Sequence, residues 1–233
     1  MKYSALAERL PPIVRRHVLH FESVIDDQLM VFASGAHPGD RVLDAGAGEG
    51  RHARFFKQVR YVGVDSGIGD KRWNYGGLDA FADLAALPFL DASFAACINI
   101  VTLEHVREPQ RVVCELARAL VPGGRLLLVV PHEWEVHQQP SDFFRYTRYG
   151  VEHLLRHAGF TAIAIEPMGG YFRLMARRLL NGLQFASGGL RSILFVPVAL
   201  FVVPIALILP LLDFLDRDRD FTLGYVCTAV KGI

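Results

Sequence analysis

Apolar residues along the chain fall into two rhythms, short unbroken runs and stretches spaced by three and four. Between Ile13 and Phe32 the apolar positions are Val14, Val18, Phe21, Val24, Ile25, Leu29 and Phe32, which predicts an amphipathic helix. Val42-Leu43 is a short buried run. It ends in Asp44, and Gly46, Gly48 and Gly50 follow at every second position. His52, Ala53, Phe55 and Phe56 then take up a helical pattern, so the stretch reads as strand, tight turn and a helix over about Arg51 to Gln58. Tyr61 to Asp65 and Phe94 to Val101 predict further strands, and Arg125 to Pro131 is a nearly continuous apolar strand. Pro109 opens a helix through Leu120 that Val121-Pro122-Gly123-Gly124 ends. Another helix starts at Thr147 or Arg148 and runs to Gly159. Thr161 to Ile165 and Phe221 to Val230 are the last two strands, expected to pair as a hairpin. Continuous apolar runs mark strands buried on both faces, hence a parallel sheet with helices outside.

One run stands apart. Ser192 to Leu212 is 21 residues without a formal charge, interrupted by Pro197, Pro204 and Pro210. A membrane helix needs about 20 residues. Arg173, Arg177, Arg178 and Arg191 precede it, as suits anionic headgroups. If the last strand completes the same sheet, both ends of the segment lie on one side. The expected form is then a Pro-bent hairpin or a helix lying in the interface. A single span with a detached tail, or a buried dimer helix, are the alternatives. The division expected is an N-terminal helical cap over 1–37, a catalytic domain over 38–172 and 219–233, and a hydrophobic insertion over 173–218.

The 233 residues carry a net charge of +1, so bulk charge does not point to nucleic acid. Cys97, Cys114 and Cys227 are scattered and read as buried reduced thiols, fitting a cytosolic face. Met1 to Pro12 lacks the apolar core of a signal peptide.

The glycine turn carries the chemistry. A dinucleotide fingerprint needs a third Gly three places after the second, and Arg51 stands there. Asp44 and Glu49 would crowd a pyrophosphate; they suit a ligand with a cationic centre. Asp65, about 20 residues further on at a strand end, suits ribose hydroxyls. The loop Ser66 to Gly77 holds Trp73 and Tyr75, and either folds over the ligand with Trp73 stacking or decorates the surface.

Taken together, Leu43 to Gly50, Val62-Gly63-Val64-Asp65, Ala82 to Phe89, Leu103 to Val106 and Leu120 to Pro131 resemble the class I S-adenosylmethionine-dependent methyltransferases, most closely the type 11 branch. The resemblance runs from about Asp40 to about Phe160 and returns at the last strand. It implies an α/β, Rossmann-like three-layer sandwich: a mostly parallel seven-stranded sheet with an antiparallel last strand, plus the hydrophobic insertion before that strand. It implies S-adenosyl-L-methionine as cofactor, with Asp44, Gly46 and Gly48 at its amino-acid part, Asp65 and the adjoining Ser66 at the ribose, Asp83 near the adenine amino group, and Leu84 and Asn99 lining the pocket. It also makes the N-terminal helix a lid, or equally a cover for a sheet edge.

A hydroxyl acceptor would need its proton removed, which suits a His near neutral pKa. His105 follows a strand end and His137 lies in the loop His132 to Tyr146; either serves as base, orients substrate, or is structural. Glu133, Asp142, Arg145 and Tyr146 are the substrate-contact candidates, with an Asp142–Arg145 salt bridge as the plainer account of that pair. No metal-ligand spacing is apparent. The expectation is a methyltransferase at the cytoplasmic face of a membrane, acting at oxygen on a small or lipid-linked acceptor such as a glycan or quinone-like ring. The rivals are a donor-binding scaffold without turnover and a soluble enzyme that dimerises through 192–212.

Overall fold

A computed structural model describes residues 16–69, 73–186, 189 and 192–233 of the protein. Residues 1–15, the first part of the expected cap, and Arg191 lie outside the described residues. The chain divides into two compact units, one of Asp26–Glu166 with Tyr225–Ile233, the other of the described residues up to Ile25 with Pro167–Gly224.

The larger unit is built on a sheet. Its strands are β1 (Arg41–Ala45), β2 (Arg60–Asp65), β3 (Ala80–Phe81), β4 (Phe94–Ile100), β5 (Leu120–Pro131), β6 (Phe160–Pro167) and β7 (Gly224–Lys231), in the order β3-β2-β1-β4-β5-β7-β6. β1 pairs in parallel with β2 and β4, β2 with β3, and β4 with β5. β7 runs antiparallel between β5 and β6. Order reverses between β1 and β4, the switch point where open α/β sheets bind ligands. Leu43, Val64, Cys97, Leu126, Leu128 and Val130 project to one face, where α2 (Pro109–Ala119) and α3 (Arg148–His157) contribute Val113, Leu116, Val151 and Leu155. The opposite faces of the central strands, with Val42, Ile98, Leu127 and Val129, are equally buried. Burial on both faces is why these strands read as unbroken apolar runs.

Three local differences from expectation have physical causes. The turn after β1 leads into a single 3-10 segment, Arg51–Phe55, and no full helix to Gln58. β5 begins at Leu120 and carries Pro122-Gly123-Gly124 within it, with the register against β4 shifting between Phe94 and Ala96. The expected N-terminal helix is α1 (His20–Ser34), preceded by a helical Arg16–Val18. In the larger unit, Arg54 bonds Asp26 at 2.8 Å and Arg125 stacks 4.8 Å over the Phe32 ring, so the end of α1 covers the sheet there.

The smaller unit holds α4 (Tyr171–Gly182) and α5 (Ser192–Ile208), the latter continued by a 3-10 segment Leu209–Leu215. Asp213 accepts from the backbone N–H of Gly170 (3.0 Å) and Arg173 (3.1 Å), and Asp216 from that of Tyr171 (2.7 Å). These carboxylates satisfy the orphan donors at the start of α4. They also bring the far end of the apolar segment back to the start of α4. Met168 N–H donates to Gly224 O at 2.8 Å, closing the excursion where it opened. The apolar segment itself is one helix and does not bend back on its prolines. Pro197 and Pro204 are seven apart on one helical face, and the helix passes through both. An 18-residue stretch within Ser192–Leu215 has a mean hydropathy of 2.8 with only 6% of it buried, and the segment is long and apolar enough to cross a membrane.

Candidate active site

At the carboxyl end of β1 the backbone turns at Gly46 (φ 90°), Gly48 (53°) and Gly50 (71°), all in the left-handed region that favours glycine. Gly46 and Ala47 N–H both donate to Val64 O, at 2.8 and 3.0 Å. A Cβ on Gly46 would stand 2.3 Å from Thr102 Cγ2, so the segment after β4 packs directly against the turn.

Asp44 is fully buried beneath it. Its Oδ2 accepts from the Tyr61 hydroxyl at 2.5 Å and lies 2.9 Å from His52 Nδ1, while Oδ1 is buried with no hydrogen-bond partner. Burial lowers the His52 pKa, but the hydrogen bond and charge of Asp44 outweigh it and the net shift is upward. Desolvation, then the Asp44 charge, drive the Tyr61 pKa up, so the phenol remains a donor. Neither residue was singled out in the sequence, although Tyr61 sits in register with Val42, on the strand face of Asp44. Gly63 between them leaves room, since a Cβ there would meet Tyr61 Cε1 at 3.2 Å.

Asp65 at the end of β2 accepts from Gly48 N–H (3.0 Å) and Gly67 N–H (2.8 Å), tying two glycine turns together. The loop that follows closes over the first turn. Asn74 N–H donates to Glu49 Oε1 at 3.1 Å, and a Cβ on Gly48 would touch Trp73 Cζ3 at 3.3 Å. Trp73, Tyr75 and Phe81 form a chain of edge-to-face rings, 6.1 and 6.3 Å apart. Ser66 is exposed beside Asp65, and Asp83 is exposed, its Oδ1 accepting from Ala85 N–H at 2.9 Å. Leu84 belongs to the core. Asn99 is fully buried; its amide donates to Ala45 O at 2.7 Å, bracing β4 against β1, and its Oδ1 has no partner.

The residues fit the donor's demands. An unpaired buried carboxylate oxygen at Asp44 suits an ammonium. The glycine turn has close backbone approach, and the Trp73 loop offers aromatic cover.

A second group of side chains gathers next to this turn. Val101 leaves β4 with φ 51°, a costly conformation for a β-branched residue and one that gathers at functional sites. Thr102 then meets Gly46, and Glu104 and His105 follow on a short 3-10 turn. Glu104 is fully buried, with neither carboxylate oxygen hydrogen-bonded. Desolvation pushes its pKa up to about 8. His105 Nε2 is 3.6 Å from Glu104 Oε1 and His137 Nε2 is 3.9 Å from it; the imidazole rings meet edge-on at 4.7 Å. Burial lowers the His105 pKa against the opposing hydrogen bond to Ser141 O.

The loop His132 to Tyr146 is knit internally. Arg145 grips Asp142 through both guanidinium nitrogens (2.7 and 2.8 Å) and donates to the carbonyls of Trp134, Glu135 and Phe144. The Arg145 hydrogen bond is the main reason the Asp142 pKa falls to about 2. Asp142 in turn accepts from His137 N–H at 2.8 Å, holding His137 toward Glu104. Tyr146 is buried and donates to Leu103 O at 2.7 Å, so it anchors the loop. Glu133 is exposed. The structure thus brings Glu104, His105 and His137 together, while Asp142, Arg145 and Tyr146 spend their polar atoms on the loop.

The methyltransferase-domain family Methyltransf_11 matches residues 43–128. Two curated relatives are a probable tRNA methyltransferase 9B of Homo sapiens, 33% identical over 117 residues, and a demethylmenaquinone methyltransferase of Renibacterium salmoninarum, 37% identical over 108. These matches take in 48% and 43% of this chain, and only 25% and 45% of the relatives, so the chain spans less than half of either. Among solved structures, the cyclase SpnF aligns with a TM-score of 0.58 at 21% identity, covering 89% of this chain and 82% of that one. A Haemonchus contortus phosphoethanolamine N-methyltransferase 2 in complex with S-adenosyl-L-methionine aligns at 0.55 and 18%, covering 89% and 53%. Identities this low carry the fold alone. Residues 43–128 match the methyltransferase-domain family, and the fold is that of the class I S-adenosylmethionine-dependent methyltransferases, whose cofactor is S-adenosyl-L-methionine.

Proposed function

We propose that the chain methylates an oxygen on a small, apolar or lipid-linked acceptor at a membrane surface. Bound S-adenosyl-L-methionine supplies a methyl group already activated on a sulfonium. The protein's share is alignment, which can lower such a barrier by roughly 7–11 kcal/mol, and removal of the acceptor's proton. The acceptor's oxygen takes the methyl, the C–S bond breaks with its electron pair left on sulfur, and the hydroxyl proton passes to an imidazole.

The observation that carries the reading is the position of His105 and His137. Both place Nε2 beside buried Glu104, which lies two residues past the Thr102 that touches the glycine turn. An imidazolium formed there would gain from the Glu104 carboxylate. For the acceptor, the exposed apolar surface of the smaller unit supports a lipid phase: Ile193, Leu200, Phe201 and Phe214 are 71–76% exposed. An excursion that closes on itself at Met168 and Gly224 supports insertion from one side. One relative is named for a quinone acceptor and another for tRNA; the near-zero net charge of this chain favours the first kind.

The test is incubation of the detergent-purified chain with labelled methyl donor and extracts of cell membranes, aqueous metabolites and RNA. Label entering the lipid extract, and lost with Asp44→Asn, supports the reading. Label confined to the RNA or aqueous fraction overturns it.

A further inference from the structure

The two imidazoles turn lone pairs, and no N–H, toward the Glu104 carboxyl group. His105 Nδ1 lies 2.5 Å from Ser141 O. A carbonyl oxygen only accepts, so Nδ1 carries the hydrogen and Nε2 presents a lone pair. His137 Nδ1 lies 3.1 Å from Glu135 O and 3.5 Å from Asp142 Oδ2, again two acceptors. Arg145 Nη2 also comes within 3.4 Å of that nitrogen, but it is committed at 2.8 Å to both Glu135 O and Asp142 Oδ2. His137 Nε2 is therefore a second lone pair. Both Glu104 oxygens and His105 Nε2 are buried without a hydrogen-bond partner. One ligand atom from each residue lies within 4.8 Å of the others. Without an ion, only a proton held at Glu104 can separate these lone pairs.

We propose that Glu104, His105 and His137 bind a divalent transition-metal ion, of the class that takes two imidazoles and a carboxylate (zinc, cobalt, manganese or iron). Softness and charge fit: neutral imidazole and one carboxylate suit these ions, and leave coordination positions open for a further oxygen. The surroundings fit as well. Each ring is oriented by a carbonyl at its other nitrogen, the arrangement that fixes metal-ligating histidines elsewhere. Asp142 and Arg145 hold the His137 backbone. With bonds of about 2.0–2.2 Å, tetrahedral neighbours stand about 3.4 Å apart. The three ligand atoms need to draw inward by about an ångström at most.

Such an ion faces the donor turn, so its open position would take the acceptor's oxygen. A hydroxyl held there would ionise more readily, giving its proton to solvent water, with the imidazoles acting as ligands in place of accepting the proton themselves. This deepens the methyl-transfer reading at the same site, but ion binding does not depend on it and is measured without turnover.

The test is titration of the chelator-stripped full chain with Co2+, followed by its visible absorption. One equivalent should bind with the d–d bands of a nitrogen- and oxygen-ligated site, and Zn2+ should abolish them. Glu104→Gln and His137→Ala should each weaken binding at least about tenfold. His137 lies on the loop surface, so that variant should keep the metal-free melting temperature and report binding even if Glu104→Gln folds poorly. Absence of the bands up to about millimolar Co2+, or unchanged affinity in His137→Ala, would overturn the proposal; a lone proton shared between Glu104 and the imidazoles would then account for the cluster. Methyl transfer to a lipid extract by metal-stripped protein separates this failure from failure of the methyltransferase reading.

Discussion

His52 Nδ1 lies 2.9 Å from Asp44 Oδ2 at the base of the glycine turn, and the Tyr61 hydroxyl reaches the same oxygen from the neighbouring strand. One carboxylate oxygen is thus spent on the fold, and the other, Oδ1, is buried without a partner. That leaves Oδ1 as the atom on which the proposed contact with the ligand's ammonium rests. Asp44→Asn should therefore weaken S-adenosyl-L-methionine binding about tenfold or more, whereas Tyr61→Phe should cost mainly stability, about 1–3 kcal/mol. Calorimetry and urea denaturation read the two separately. Equal losses of affinity would remove Asp44 from the ligand's amino group.

The His52–Asp44 pair also sets a pH dependence. The folded pKa of His52 is raised. Its stabilisation is complete below the unfolded value of about 6.5 and is lost as pH rises through the folded value. The stability gap between the wild type and His52→Gln should be widest below about pH 6 and shrink above pH 7. A gap of constant size from pH 5 to 9 would mean that His52 is not charged in the folded protein.

Gly46 is constrained twice, by φ of 90° and by Thr102 at 2.3 Å from a would-be Cβ. Gly46→Ala should abolish donor binding and destabilise the fold by a few kcal/mol. Adding Thr102→Ala removes the two nearest atoms but leaves the residue's Cβ, at 2.7 Å, and the backbone strain, so the double variant should recover some stability but not all of it. Full recovery would show that the backbone strain is negligible; none would show that those two atoms are not the obstacle.

The sheet was legible because its central strands are buried on both faces, and such strands write continuous apolar runs into the chain. The glycine turn was legible because glycines at alternate positions after a strand mark a tight left-handed turn, which Gly46, Gly48 and Gly50 make. His52 and Tyr61 were not, since each meets Asp44 only through a turn or a strand register that no local pattern records. Glu104 is the sharper case. In the sequence it is one acid before a histidine, and only the return of the loop through Phe143 and Phe144, whose N–H groups donate to Glu104 O, buries it. The same return brings His137 across. A spacing search passes over the cluster of Glu104, His105 and His137 because His137 joins it only by tertiary folding. The apolar segment announced itself by length, but its reversal did not: prolines drew attention to 192–212, while the carboxylates of Asp213 and Asp216, just past it, make the return.

Trp73 gives a direct optical readout. Its ring lies against Gly48 in the donor turn. Binding of S-adenosyl-L-methionine should change its fluorescence, with Trp134 removed by Trp134→Phe to leave one reporter. Trp73→Ala should weaken binding about tenfold, in line with loss of an aromatic contact of about 1–1.5 kcal/mol. Fluorescence that ignores saturating ligand would make the loop surface decoration.

Glu104 opposes folding in its charged form. Burial raises its pKa to about 8, against about 4.5 for the unfolded chain. Between these values the folded state holds a proton that the unfolded state has released, so stability falls as pH rises from about 4.5 to about 8 and levels off above. The effect is bounded at several kcal/mol, at about 1.4 kcal/mol per pK unit. Glu104→Gln removes the titration. Its stability relative to the wild type, both in chelator, should therefore improve steadily from pH 5 to pH 8, whatever the constant cost of a buried amide. Titration of His52 lowers stability over the upper part of the same range, but it is common to both proteins and cancels in the difference. A difference that stays flat across this range would show that Glu104 is ionised in the folded protein, held by a counter-charge among its imidazole neighbours.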